Sequence, residues 1–224
     1  KLDLKSLCIL KDIIQYGMAV LHVLLRVFED LVKAAVKKLS QKHKIKRGFS
    51  LDLFKKRFRK YSGIRMFEVR QGSGTSNDGN TARAFFKDPT RSAELLEINP
   101  ELVLQTRDLI GMISNQKEFI CSDLFDNKAK LVWELYNNEF NECGKNMSTT
   151  FHRLVAHGGA FLNYAKELGI PLGQLSESSI ESINSLNRTV RQFHTRKCGA
   201  MAQNLDLLNH MIWRSDPLLN HTKR

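Results

Sequence analysis

Three stretches of the chain carry side chains whose type and spacing could do chemistry. The first is SESSIESINSLNRTVR, residues 176–191, where the pattern predicts a helix started by Ser178 with Glu181 in its first turn. A carboxylate there has two uses. As the capping-box partner of Ser178 it suits the helix dipole and contributes about 0.3–1 kcal/mol. As a metal ligand in phosphoryl transfer it needs acidic companions, because two divalent ions about 3.5–4 Å apart must be held together.

The second stretch is GSGTSNDGNTARAFF, Gly72 to Phe86. A glycine-rich loop running into a helix start offers free backbone N–H groups, a common way of holding a phosphate, and Arg83 in the first turn could add a charged contact. No Gly-Lys-Ser/Thr follows, so a nucleotide-hydrolysing P-loop is excluded. Read structurally, the same stretch is a connector ending in a helix cap.

The third stretch is FHRLVAH, Phe151 to His157. Its two histidines fall within zinc-like spacing, but five residues of ideal helix set them about 140° apart. Sharing one ion therefore requires the helix to end or distort between them, and Gly158-Gly159 offers a place for it to end. Packed or surface histidines are the bland alternative.

The elements that must position these groups read as helices. Residues Leu4 to Ser40 show i, i+3, i+4 apolar spacing with a break expected at Gly17, followed by a basic hinge at Gln41 to Gly48. A basic amphipathic helix, Leu51 to Tyr61, puts Leu51, Phe54 and Phe58 on one side and Lys55, Lys56, Arg59 and Lys60 on the other. After the glycine-rich loop at residues 71–80, helices are predicted over Asn80–Phe86, Pro100–Ser114, Ser122–Phe140, Ser148–Leu168, Ser178–Phe193 and Ala200–Trp213. Asn99, Ser122 and Ser178 stand at their starts as capping or pre-proline residues. Met66 to Arg70 is the only short run that reads as a strand. The expected organisation is a basic helical region over 1–70, the loop over 71–80, and a helical domain over 81–224.

With 42% apolar and 26% charged residues the chain is expected to be globular, and no apolar run reaches the roughly 18 residues of a membrane span. Arg26, Glu29 and Asp30 interrupt the best candidate. Cys8, Cys121, Cys143 and Cys198 are scattered without CxxC pairing, which points to free thiols in a reducing compartment, cytosol or nucleus. The net charge of +12 is concentrated at one end: residues 1–91 hold 21 Lys and Arg against 8 Asp and Glu, the remainder 14 against 15. Residues 33–70 alone carry 14 basic side chains against Asp52 and Glu68. Each cation that neutralises a phosphate releases a counterion, so DNA is the expected partner. The run KHKIKRG also fits a nuclear-import signal.

These motifs together resemble the V(D)J recombination-activating recombinase and the Transib-type transposases, a DDE family. Glu181 falls on the last carboxylate of the Asp-Asp-Glu triad, with Ser182, Asn184, Leu186, Arg188 and Arg191 in register behind it; Glu177 is a competing position. DGNTAR resembles the family's GNxAR motif, with Ala84 where a second basic residue is usual, which implies DNA engagement by Asn80 and Arg83. FHRLVAH resembles a stretch supplying two zinc histidines, so His152 and His157 would form half of a structural Zn site whose CxxC pair lies upstream. The likeness runs from Leu21-His22 to SDPLL at Leu219.

The resemblance implies a mainly α chain corresponding to the helical insertion and carboxyl-terminal region of an RNase H-like DDE transposase, with the catalytic β-sheet largely missing. It implies Mg or Mn at Glu181, DNA nicking and strand transfer in the intact enzyme, and backbone contacts by the Lys33–Arg70 region, Arg83, Arg188 and Arg191. A homodimer and an accessory recombinase subunit are the protein partners it implies, in the nucleus. The family's two aspartates precede the matched region. Asp3, Asp12 and Asp30 could replace them only in principle, being in helical context, so activity from these residues alone is not expected. The chain is read as a piece of a larger enzyme or a domesticated remnant. The other reading is a non-catalytic helical module that binds DNA or partner helices.

Overall fold

The computed structural model describes residues 18–66, 77–144, 146–176 and 178–215, without the side chains of 178–182. Among them are nine α-helices: α1 Val20–Lys42, α2 Arg47–Ser62, α3 Gly79–Lys87, α4 Pro89–Leu96, α5 Pro100–Ile113, α6 Ser122–Phe140, α7 Thr149–Glu167, α8 Ser178–Phe193 and α9 Ala200–Ser215. No strand occurs among the described residues. The run expected at Met66–Arg70 lies, apart from Met66, outside them, as do the helix before Gly17, Cys8, most of the glycine-rich loop, Glu177 and SDPLL from Asp216 onward. The mainly helical class is therefore the one the sequence predicts, and no described helix is long and apolar enough to cross a membrane.

The chain divides into two compact units, Lys1–Ser176 and Glu177–Arg224, with the boundary far beyond the glycine-rich loop. In the first, α1 is a central helix. Val23, Val27, Phe28, Leu31, Ala34 and Ala35 are buried at successive positions around it, and α2 through α7 all touch it. Its apolar character on nearly every side is what a helix surrounded by others requires. Phe28 and Phe85 lie 5.1 Å apart, with Phe86 edge-on to Phe85 at 5.1 Å and Phe58 at 6.4 Å. This aromatic cluster fastens α1, α2 and α3 together, and each fully buried ring contributes about 1.5–3 kcal/mol by burial.

The acidic pair on α1 has a structural use. Asp30 is buried and accepts from the Tyr136 hydroxyl at 3.1 Å and the Ser148 backbone N–H at 3.2 Å. It thereby ties α1 to α6 and to the residue that caps α7. Glu29, also buried, accepts from Arg26 at 2.9 Å and from the Asn77 amide at 3.4 Å. Asp30 is thus committed to internal hydrogen bonds and is not displayed as a catalytic carboxylate.

Helix α4 was not anticipated. Asp88 caps it by accepting from the Arg91 N–H at 3.0 Å, and Pro89 occupies the first turn, where its missing N–H costs nothing. At α6 the expected cap also moves by one residue: Cys121 is the N-cap, with no side-chain bond, and Ser122 is the first helical residue. Buried Phe125, Ala129, Val132, Tyr136 and Phe140 set its inner face, while Leu124 and Leu131 stand exposed.

The second unit contains α8 and α9. Arg196, between them, donates to both carboxylate oxygens of Asp206, at 2.8 Å from Nη2 and 3.0 Å from Nε. Val190 and Leu207 are its buried apolar side chains among the described residues.

Candidate nucleic-acid interface

Helix α2 is built for two environments. Phe54 and Phe58, one turn apart, are buried against the core, and Ser50 lies beside them. The rest of the surface is cationic. Lys56, Arg57, Arg59 and Lys60 are exposed, and no ion pair engages them among the described residues. Lys55 differs: it is half-buried and its ammonium stands 3.7 Å from Asp52. The helix begins from the KHKIKRG run, which forms the tight turn after α1. There Lys42 and His43 engage Glu97, at 3.0 and 3.4 Å, and Lys42 first among several contacts holds the Glu97 carboxyl below its usual range.

Opposite α2 stands α4, and a groove runs between them. One end, about 480 Å³, is bordered by Arg57, Lys60, Tyr61, Arg91 and Glu94. The other, about 200 Å³, is walled by Leu39, Ile45, Leu53 and Phe54, with Ser50, His43 and Glu97 also lining it. Arg57 and Leu95 border both. Arg91 is held by Glu94 at 2.7 Å, which leaves Arg57 and Lys60 as the free charges of the groove. Sequence reading missed Arg57 because it stands at the flank of the predicted basic face, and Arg91 because only the α2–α4 packing brings it there.

At α3 the helix start is already satisfied. The Asp78 carboxylate accepts from the Thr81 N–H at 2.8 Å and the Thr81 hydroxyl at 2.7 Å. Burial pushes the Asp78 carboxyl up, but the Thr81 hydroxyl and the backbone N–H groups of Thr81, Asp78 and Asn80 outweigh it and hold it below the usual carboxylate range. The anion at this helix start is therefore the chain's own, and its charge opposes a phosphate at the same place. Asn80 and Arg83 are both exposed. Arg83 folds back so that its Nη1 would lie 2.8 Å from a Cβ built on Gly79. Among the described residues of this stretch, the Arg83 charge is the anion-binding feature still available.

On α7 the two glycines do not end the helix, which continues to Glu167. They permit close packing instead: a Cβ at Gly158 would meet the Phe125 ring at 2.3 Å, and one at Gly159 the Asp126 carboxylate at 2.2 Å. The His152 and His157 rings nevertheless approach to 5.7 Å between centroids, at 86°, and His152 lies edge-on to Trp133 at 5.7 Å. Burial first, then His152 and Arg153, hold the His157 imidazole below its ordinary pKa. No group of three or more His, Cys, Asp or Glu side chains suited to a metal ion occurs among the described residues. The zinc pair therefore has no further ligand among the described residues, and the Glu181 side chain lies outside them.

In α8, positions 181, 184, 188 and 191 follow one another at the spacing of one helical face. Asn184, Arg188 and Arg191 are exposed. The Arg191 carbonyl accepts from the Thr195 hydroxyl at 2.9 Å and from the Lys197 ammonium, which leaves its guanidinium outside those bonds. Arg188 and Arg191 belong to the second unit; Lys55, Lys56, Arg59, Lys60 and Arg83 belong to the first.

The chain matches no protein-family model, and no curated protein matches it.

Proposed function

We propose that this chain is a DNA-binding part of a DDE transposase of the recombination-activating and Transib type, corresponding to the carboxyl-terminal helical region of an RNase H-like enzyme. The observation that carries DNA binding is the cationic row of α2: Lys56, Arg57, Arg59 and Lys60, exposed and without ion-pair partners among the described residues. Four uncompensated cations on one short helix repel one another, and a polyanion relieves that repulsion while releasing counterions. Arg83 adds a charge on α3, and Arg188 and Arg191 add two on α8. These groups contact phosphate and so position the backbone without reading sequence.

The catalytic part of the reading rests on Glu181 and its register with Asn184, Arg188 and Arg191. In an intact relative Glu181 would bind Mg or Mn, an ion that would assist attack on a phosphodiester, with strand-borne aspartates supplied from upstream. His152 and His157 would complete a Zn site with an upstream cysteine pair. The same reading gives nuclear localisation, a homodimer and an accessory recombinase subunit as partner. Glu181→Gln in a full-length parent should abolish nicking while leaving DNA affinity unchanged; retained nicking would remove Glu181 from the metal site.

A second reading, a non-catalytic module that docks on partner helices, draws support from α9. Met201, Leu205, Leu208 and Ile212 form an exposed apolar row at i, i+4, i+7 and i+11. A DNA titration separates the two, since the docking reading requires no affinity for DNA.

A further inference from the structure

We infer that the groove between α2 and α4 holds one unpaired nucleotide of a nucleic-acid strand, with the phosphate on Arg57 and Lys60 and the base in the apolar hollow above Ser50. This rests on the DNA-binding reading and adds to it a single-stranded ligand and a place for the base. The two hollows are neighbours, with Arg57 and Leu95 bordering both. A cationic end thus lies next to an apolar one, the arrangement that a phosphate joined to a ring requires.

Size selects the occupant of the apolar end. At about 200 Å³ it is below the volume of an ordinary drug-sized pocket and somewhat above the ~150 Å³ cavity that accepts benzene. It suits a single ring. Its apolar walls, Leu39, Ile45, Leu53, Phe54 and Leu95, gain by excluding water from such a ring, while His43, Arg57 and Glu97 stand at its border. Ser50 supplies the polar requirement. Its side chain is 3% exposed, and its hydroxyl has no hydrogen-bond partner among the described residues. An orphaned hydroxyl is unfavourable in a buried place, and once rotation about χ1 turns it to the hollow, a base edge, bearing both donors and acceptors, can relieve it.

Charge favours a nucleic-acid strand over an acidic peptide. The outward face of α2 continues from the groove as Lys56, Arg59 and Lys60, a row suited to a ligand with a charge at every unit. Glu94 on the groove wall is neutralised by Arg91, and Glu97 by Lys42 and His43. In duplex DNA the bases are stacked and paired, so the hollow selects single strands and frayed ends.

The test compares three labelled ligands on the full chain at about 50 mM salt: an oligothymidylate, an abasic phosphodiester strand of equal length, and a duplex. The oligothymidylate should bind about tenfold more tightly than the abasic strand. Leu95→Trp, which fills the groove, should bring that ratio close to unity, and Ser50→Ala should lower it roughly threefold. Circular dichroism confirms that both variants fold. Equal binding of the two strands, or a ratio that neither substitution moves, overturns the groove assignment while duplex binding leaves the DNA reading intact. Failure of all three ligands to bind overturns both. A labelled Glu/Tyr copolymer that binds more tightly than the oligothymidylate and is lost in Leu95→Trp assigns the groove to acidic peptides and overturns the inference.

Discussion

The two units of this chain treat their apolar residues in opposite ways. In the first, Phe28, Phe54, Phe58, Phe85, Phe125, Phe140, Phe151 and Phe161 are at most 1% exposed, and the buried Asp30 among them is hydrogen-bonded across helices to Tyr136. In the second, Met201 is 86% and Trp213 72% exposed, and Val190 and Leu207 are its buried apolar side chains among the described residues. A short helix gains little from propensity alone and needs tertiary burial to persist. The unit that carries the cations of α2 is therefore held by its own core. Among the described residues, the helix that carries Glu181 is held by far less.

The largest effect that sharpens this contrast is at Phe85. Phe85→Ala should cost about 3–5 kcal/mol, because the ring is fully buried between Phe28, Phe58 and Phe86. Leu208→Ser in α9 should change stability by less than about 0.5 kcal/mol, because its side chain is already half in water. Urea unfolding followed through Trp133 for the first unit and Trp213 for the second separates the two. A large loss at Leu208 would show that the α9 face is covered in solution.

Next comes Asp30. Its replacement by alanine leaves the Tyr136 hydroxyl and the Ser148 N–H without their acceptor and should cost about 1–3 kcal/mol. The urea midpoint of Asp30→Ala reports it; an unchanged midpoint would mean that the α1–α6–α7 tie is not needed.

A smaller effect is expected at Asp78, where Asp78→Ala removes a helix cap worth about 1 kcal/mol. Its folded pKa is depressed, so this stabilisation is complete above the unfolded value of about 3.9 and is lost as pH falls through the folded value. Asp78→Asn should flatten the acid limb of a stability–pH curve. His157 acts in the same direction at higher pH. Its imidazole is held below the ordinary value, so the stability that its neutral form gives is complete above about 6.5 and declines as the pH falls through its folded value. His157→Gln should remove that slope.

How far the sequence predicted the fold varies from element to element. Long periodic segments such as α5, α6 and α7 are recognisable within a residue or two, since repeated apolar spacing and capping residues are local signals. Helix α4 escaped because Pro89 reads as a breaker until Asp88 is seen to cap it. The glycines of α7 read as a helix end because the Phe125 ring and Asp126 carboxylate that require them come from another helix. For the same reason the groove was invisible: Arg57, Ser50 and Leu95 become neighbours only when α2 packs on α4. The cations of α2 were recognisable because a basic helical face needs no partner to be read, but Lys55, paired with Asp52, differs from unpaired Lys56 only in how the folded side chains lie. Glu181 is proposed from motif register alone, and the described structure gives its backbone as helical.

The central claim is that the unpaired cations of α2 bind DNA backbone, and the salt dependence of duplex affinity tests it most directly. The slope of log affinity against log salt should be steep and negative, and Lys56→Gln/Arg59→Gln/Lys60→Gln should reduce its magnitude by roughly 2.7, about 0.9 per lost contact. Arg188→Gln/Arg191→Gln, in the other unit, should reduce it by less than about 1.8. A slope that the triple substitution leaves unchanged, or no duplex binding at about 50 mM salt, would contradict the account.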